Sequence, residues 1–441
     1  MELTANINRP AMSVEGGVGY CEIGIQAEGR PGPEQTPRHI SLCIDVSGSM
    51  SGNPITHAKE GARTVVRRLN PEDYISIISF SDDADVVLDT VRYGDVDEGR
   101  IEDAIRSLST DSRTNIEAGM RAARRSIADI GERETVAKRV ILLSDGGANE
   151  GVDTAEGLAG IAREMRSEDG IAIISAGLGT GYDEEVVRAV AEASDGRWDH
   201  LTDPSNIKQL FDDAVWDAGS VLVQAPELEL DLNGVEIGDI YRRRPQVKEV
   251  DVEGDGNVKR IQLPDLLERQ LQELVFQVHV PGGNEGEVRT LFDATLSSMG
   301  RVVDTDSVTV EYTKYPGEFE EFESVRAKFV DAKGIHESIQ GDTQRASKLF
   351  QRAQGTVNDP NAQDIIDRGQ ADNRRISRAG NENERRDRVS KSSNRPTNRM
   401  NDLPDKPVRK RQSGDRGRGG GGRGGGNGRG RDRGRGRGRR T

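Results

Sequence analysis

Asp45, Ser47 and Ser49 put three oxygen-bearing side chains at alternate positions just after the apolar run Ile40 to Ile44. A carboxylate and two hydroxyls, with no histidine or cysteine among them, suit Mg²⁺ or Mn²⁺ better than zinc, because hard oxygen donors match hard cations. One loop cannot fill an octahedral shell, so the chemistry needs more oxygens from elsewhere in the chain. Taken alone, the same pattern is also what an N-capped helix start looks like, since Asp and Ser favour that position.

Further oxygens follow in order. Thr114, within Arg113-Thr114-Asn115, stands ahead of a helical stretch, and the apolar run Val140 to Leu143 ends on Ser144-Asp145-Gly146. A strand ending in Asp-x-Ser-x-Ser, a Thr before a helix and a second strand ending in Asp-Gly together resemble the metal-ion-dependent adhesion site of von Willebrand factor A domains. All five signature positions match: Asp45, Ser47, Ser49, Thr114 and Asp145. The resemblance covers residues 38–218. It implies that Ser47, Ser49 and Thr114 reach the ion through hydroxyls, that Asp45 and Asp145 hold it directly or through water, and that an open position accepts a carboxylate from a partner protein. The expected function is thus a metal-dependent binding module, not an enzyme.

Rival chemistries lack parts. Gly177-Leu178-Gly179-Thr180-Gly181 follows a strand and opens a helix as a dinucleotide fingerprint does, but the last glycine of that motif is replaced by Tyr182. Ser47 and Ser49 sit in no Gly-x-Ser-x-Gly elbow, and the five histidines have no triad setting. A phospho-aspartate enzyme built on Asp45 would want an acidic residue where Ser47 stands.

The elements that must position the five residues alternate between strand and helix from 38 to 218, which predicts an α/β domain with a doubly wound parallel sheet and an antiparallel edge strand near Asp85–Leu88. In such a sheet the ligand crevice lies at the carboxyl ends of strands where the winding reverses, the place expected for Asp45 and Asp145. Residues 1–37 hold alternating strand-like runs up to about residue 29, and 219–316 hold more, including Val221–Leu232, Val247–Val252, Leu271–Val280 and Arg301–Tyr312. Too few to bury a core alone, the first strands are expected to complete an all-β sandwich with 219–316, leaving the metal domain inserted within it. Residues 317–355 read as a helical hairpin, with Phe319, Phe322, Val325 and Phe329 on one face. Residues 356–441 lose apolar periodicity and are expected to be a disordered linker and tail.

Composition adds a second theme. The formal net charge is −14, yet the last thirty or so residues carry a basic excess of roughly ten, so the body is strongly acidic. Lysine is scarce beside arginine, a balance that suits concentrated salt. Arg416, Arg418, Arg423, Arg429, Arg431, Arg433, Arg435, Arg437, Arg439 and Arg440 lie in Arg-Gly repeats that resemble the Arg-Gly-Gly boxes of RNA-binding proteins. Arginine forks pair with phosphates and stack on bases, so RNA or single-stranded DNA is the second expected partner, with no aromatics between the repeats to add stacking. Cys21 and Cys43 are expected as buried thiols. No run approaches the roughly eighteen apolar residues of a membrane span, and no secretory leader precedes Pro10, so a soluble cytoplasmic protein is expected.

Overall fold

In the computed structural model, which describes residues 1–27, 37–110, 113–128, 136–298 and 300–394, the chain opens with three strands. These are β1 (Glu2–Ile7), β2 (Ala11–Ser13) and β3 (Gly17–Gln26). The central domain begins with β4 (Arg38–Asp45), buried along its whole length. Ile40, Leu42 and Ile44 pack into one apolar layer and Cys43 into the layer on the opposite face, so the strand is covered on both sides. After it come α1 (Asn53–Val66), β5 (Tyr74–Phe80), β6 (Ala84–Arg92), α2 (Glu98–Ser107), α3 (Ile116–Ala128) and β7 (Ala137–Ser144). The domain closes with α4 (Ala155–Asp169), β8 (Ala172–Leu178), α5 (Glu184–Ala193), β9 (Trp198–Leu201) and α6 (Ile207–Gly219). Asp97, Thr154 and Asp183 cap α2, α4 and α5 by accepting from first-turn amides.

The sheet runs β6-β5-β4-β7-β8-β9, parallel except for the antiparallel edge β6. Residues of α1, α2 and α6 join the layer on one face, and residues of α3, α4 and α5 the layer on the other. Chain order reverses at β4, with β5 on one side and β7 on the other. That switch opens a crevice at the carboxyl ends of β4 and β7.

Beyond α6 the chain returns to strands: β10 (Val221–Val223), β11 (Glu227–Leu232), β12 (Glu236–Arg244), β13 (Lys248–Glu249), β14 (Val258–Gln262), β15 (Leu266–Leu267), β16 (Leu271–Val280), β17 (Val288–Ser298) and β18 (Arg301–Thr313). Two five-stranded sheets, β1-β3-β16-β12-β13 and β14-β11-β17-β18-β2, enclose one apolar core. β3 lies between β1 and β16, so strands from before and after the α/β domain share a sheet and that domain is an insertion within the sandwich. The free edge of β1 is closed without a ladder: the Leu3 and Ala5 amides each donate at 2.9 Å to a carboxylate oxygen, of Asp304 and Asp306 respectively. Two expected strands are shorter than their apolar runs. Val221–Leu232 breaks at Gln224-Ala225-Pro226, where Ala225 takes φ 41, and Val247–Val252 contracts to Lys248–Glu249.

Four helices follow, α7 (Glu323–Ile339), α8 (Thr343–Gln354), α9 (Pro360–Ser377) and α10 (Glu382–Ser393). The expected hairpin is therefore half of a four-helix layer, and the disorder expected from residue 356 is contradicted as far as 394. The reason is the buried face of α9, which is built of Ala362, Ile366, Gly369, Gln370, Asn373 and Ile376. Small and polar side chains fill most of it, so no apolar stripe marks the helix. Phe319 and Phe322 also depart from expectation: α7 starts one residue after Phe322, and Phe319 is 45% exposed. Val325 and Phe329 are buried, and Phe329 meets Tyr20 and Tyr241 of the sandwich. Beneath α7 a buried ion network joins Lys328 to Glu22 (2.7 Å) and Glu273 (2.9 Å), and Arg243 to Glu273 (2.7 Å) and Asp331 (2.9 Å). The helices share a core with Tyr182, Val187, Ala191 and Trp198 of the α/β domain. Among the described residues no helix is long and apolar enough to cross a membrane.

Candidate metal centre

Asp45 is the last residue of β4, fully buried, and both its oxygens are engaged. Oδ1 accepts the Ser47 amide at 2.7 Å, and Oδ2 accepts the Ser144 hydroxyl at 2.6 Å. A single 3-10 turn, Gly48–Met50, then brings Ser49 back over the strand end. Ser47 Oγ lies 3.1 Å from Ser49 Oγ, and Ser49 Oγ donates to Asp145 Oδ1 at 2.6 Å. Thr114 enters from the other side, ahead of α3. A Cβ placed on Gly146 would meet Thr114 Oγ1 at 3.1 Å and Ser49 Oγ at 3.9 Å, so the glycine after Asp145 leaves the space in which these hydroxyls gather. All five residues singled out in the sequence thus converge at the carboxyl ends of β4 and β7.

Burial sets the electrostatics. It pushes the Asp45 carboxyl up to about 6, with the negative Asp145 adding to the rise and hydrogen bonds from Ser144 and Ser47 opposing it. Asp145 is raised as well, again by burial first, against hydrogen bonds from Ser49 and Ser47. Two carboxylates raised by desolvation and three hydroxyls, with no ion-pair partner for either carboxylate among the described residues, are a donor set that fits a hard divalent cation, which would supply the missing positive charge. Among the described residues no three His, Cys, Asp or Glu side chains gather as a metal cluster, so any ion here depends on the hydroxyls.

Three residues support the five, of which only Gly146 entered the sequence pattern, as the glycine of Asp-Gly. Ser144 donates to Asp45 from the neighbouring strand. Gly146 gives the close approach just described. Asn149 brackets Thr114, accepting its amide through Oδ1 at 3.1 Å and donating its own amide to the Thr114 carbonyl at 3.1 Å. Ser144 directly precedes Asp145 and was within reach of the same pattern; Asn149 acts through loop geometry and left no such signal. The glycines at 177 and 181 have packing tasks that need no nucleotide. A Cβ on Gly177 would fall 2.2 Å from the Tyr182 ring, and one on Gly181 would fall 2.7 Å from the Asp145 carbonyl oxygen. Both thiols are fully buried and unpaired. The ten tail arginines lie outside the described residues.

A family model for the von Willebrand factor type A domain matches residues 39–213. The chain carries a von Willebrand factor type A domain. A von Willebrand factor type A protein from Catenulispora acidiphila superposes with a TM-score of 0.73 at 15% identity, over 89% of this chain and 96% of that one. The ArnB paralog VWA2 from Sulfolobus acidocaldarius does so with 0.57 at 14% identity, over 89% and 96%. Both likenesses extend well beyond the A domain, so the combination of insertion and flanking layers is a shared fold. In sequence, the chain is 25% identical to an uncharacterized protein of Synechocystis over 287 residues, which is 62% of this chain and 65% of that protein. It is 31% identical to inter-alpha-trypsin inhibitor heavy chain H3 of Mesocricetus auratus over 127 residues, 27% of this chain and 14% of that protein. The chain spans less than two thirds of these relatives' length. Type A domains are modules of protein interaction, and this one places its loops over the crevice that holds Asp45 and Asp145.

Proposed function

We propose that the A domain is a non-enzymatic module that binds a partner protein through a divalent cation, Mg²⁺ or Mn²⁺. Ser47, Ser49 and Thr114 would hold the ion by their hydroxyls, with Asp45 and Asp145 directly or through water. When bound, the ion offers an open position to a carboxylate oxygen of the partner. The observation that carries this reading is the convergence of a buried carboxylate, a half-buried one and three hydroxyls from separate loops, with no ion-pair partner for either carboxylate among the described residues. The hydrogen bonds from Ser47 to Ser49 and from Ser49 to Asp145 keep these side chains in one cluster, so little ordering entropy remains to be lost on binding.

The test is thermal unfolding of the full chain across a Mg²⁺ and a Mn²⁺ series. A ligand of the native state alone stabilises it by about 2.7 kcal/mol at a hundredfold excess over Kd. Wild type should show a saturating rise in Tm, and Asp145→Ala should lose it. Affinity capture with wild type and Asp45→Ala, each in the presence of metal, should then return partners that only wild type retains. A Tm that ignores both ions would sink the proposal.

A further inference from the structure

Thr114 differs from the other four candidate ligands in how it is held. Asp45, Ser47 and Ser49 share one strand end and its turn, and Asp145 continues β7. Thr114 instead precedes α3 directly, and its placement depends on what fixes the start of that helix. Asn115 ties it on one side, its amide donating to the Ser81 carbonyl at 2.7 Å and its Nδ2 to the Asp82 carbonyl at 3.0 Å. The other side is closed by the loop after Asp145. Asn149 takes both backbone groups of Thr114 at 3.1 Å each, and three residues on the Val152 amide donates to Glu117 Oε2, within the first turn of α3, at 2.7 Å. Gly151 passes between them at φ +69, where a Cβ would lie 2.9 Å from both Asn115 Oδ1 and Glu117 Oε2. The loop is thereby folded against the helix start.

We infer that Asn149 is a positioning residue of the metal centre, clasping the Asp145 loop to Thr114 so that the Thr114 hydroxyl and the Asp145 carboxylate are held in one fixed relation. This rests on the proposed reading of the site as metal-binding. The physical reason is that a hydroxyl is a weak ligand whose contribution depends on being pre-placed. Groups that orient a ligand without touching the metal change affinity by about 10- to 100-fold when removed. Asn149 is exposed, so its replacement need not unsettle the core.

The experiment is calorimetric titration of the full chain with Mn²⁺ alone, paired with thermal melts in the absence of metal. Asn149→Ala should weaken Mn²⁺ binding by about 10- to 100-fold while the metal-free melt stays close to wild type. Asn149→Asp, which keeps the Oδ acceptor and the backbone donor, should recover most of the affinity. Thr154→Ala is the control. It removes the cap of α4 on the same connection without touching Thr114, and should lower the metal-free Tm while leaving affinity unchanged. Equal affinity in wild type and Asn149→Ala overturns the inference and leaves the metal site standing; so does a Thr154→Ala loss as large as that of Asn149→Ala. A wild-type chain that takes up no Mn²⁺ overturns both the inference and the reading beneath it.

Discussion

Arg386 of α10 lies over the ring of Tyr182, 4.8 Å from its centroid, and donates to the Tyr182 carbonyl at 3.0 Å. Tyr182 ends the loop whose Gly181 packs against the Asp145 carbonyl, so the last described helix grips a segment one residue from the candidate metal centre. The same helix closes the open edge of the central sheet. Ser390 Oγ accepts the His200 amide at 3.3 Å, and Asn394 Nδ2 donates to the Trp198 carbonyl at 3.0 Å, so side chains stand where a neighbouring strand would be.

Arg386→Ala should therefore cost about 1.5–3 kcal/mol, the range for a charge-assisted hydrogen bond in a partly buried setting. It should also speed hydrogen exchange at His200. Arg386→Lys keeps the charge but loses the planar stack, and should fall between the two. Urea unfolding with exchange mass spectrometry reads both effects. Unchanged exchange along β9 in Arg386→Ala would show that α10 does not depend on this grip.

These contacts explain which parts of the molecule were legible in the sequence. Ile40, Leu42 and Ile44 face one helix layer and Cys43 the other, and burial on both faces makes an apolar run that any reading finds. Thr114 and Asp145 were singled out because the type A signature they resemble restricts the residue type at each position, and the fold brings both to the carboxyl ends of β4 and β7. α10 was missed because it docks through Asn383, Arg385, Arg386, Ser390 and Asn394, polar side chains that satisfy particular backbone and side-chain groups of the A domain. Polar docking of that kind has no period to detect. The error at Phe319 and Phe322 was the converse: helical spacing in a stretch where the chain is not yet helical.

Gly177→Ala tests the packing account of the glycine pattern. With the Tyr182 ring 2.2 Å from the new Cβ, the ring or the strand must shift, and overpacking of this sort costs about 1–3 kcal/mol. Chemical denaturation should show that loss with no change in m-value. An alanine variant as stable as wild type would remove packing as the reason for that glycine.

The Arg-Gly tail calls for a separate measurement. Full-length protein should bind a labelled single-stranded oligonucleotide by fluorescence anisotropy, and a chain ending at Pro407 should not. Each phosphate neutralised on a single strand adds about −0.7 to the slope of log affinity against log salt, so several arginine contacts give a steep line. Equal binding by the two proteins at the lowest salt would remove nucleic acid as a partner of the tail.

His39 gives the pH dependence its sharpest prediction. The ring is buried in β4 between strands, its Nε2 lies 3.1 Å from Ser76 Oγ, and its Nδ1 finds no partner among the described residues. Burial, with nearby Lys138 acting the same way, pushes its pKa down to about 3. In the unfolded chain the imidazole titrates near 6.5. Between these two values the unfolded state binds the extra proton and the folded state does not, so stability is fully present above about pH 6.5 and drains away as pH falls. Over the step from 6.5 to 5 one such proton is worth about 2 kcal/mol. The carboxylates that salt bridges hold low, Glu273 beside Lys328 and Arg243 and Asp265 beside Arg139 and Arg166, act in the same direction, but only once pH drops below the ordinary carboxylate range. His336, also pushed down by burial, to about 4, contributes equally to wild type and variant. His39→Gln remains neutral throughout and can still bond Ser76. Its stability, taken from urea unfolding at pH 7.5, 6.5, 5.5 and 5, should fall less steeply than wild type by about that 2 kcal/mol over the step. Parallel curves for the two proteins would mean that the folded chain protonates His39 as readily as the unfolded one, and that β4 opens far enough to let the proton in.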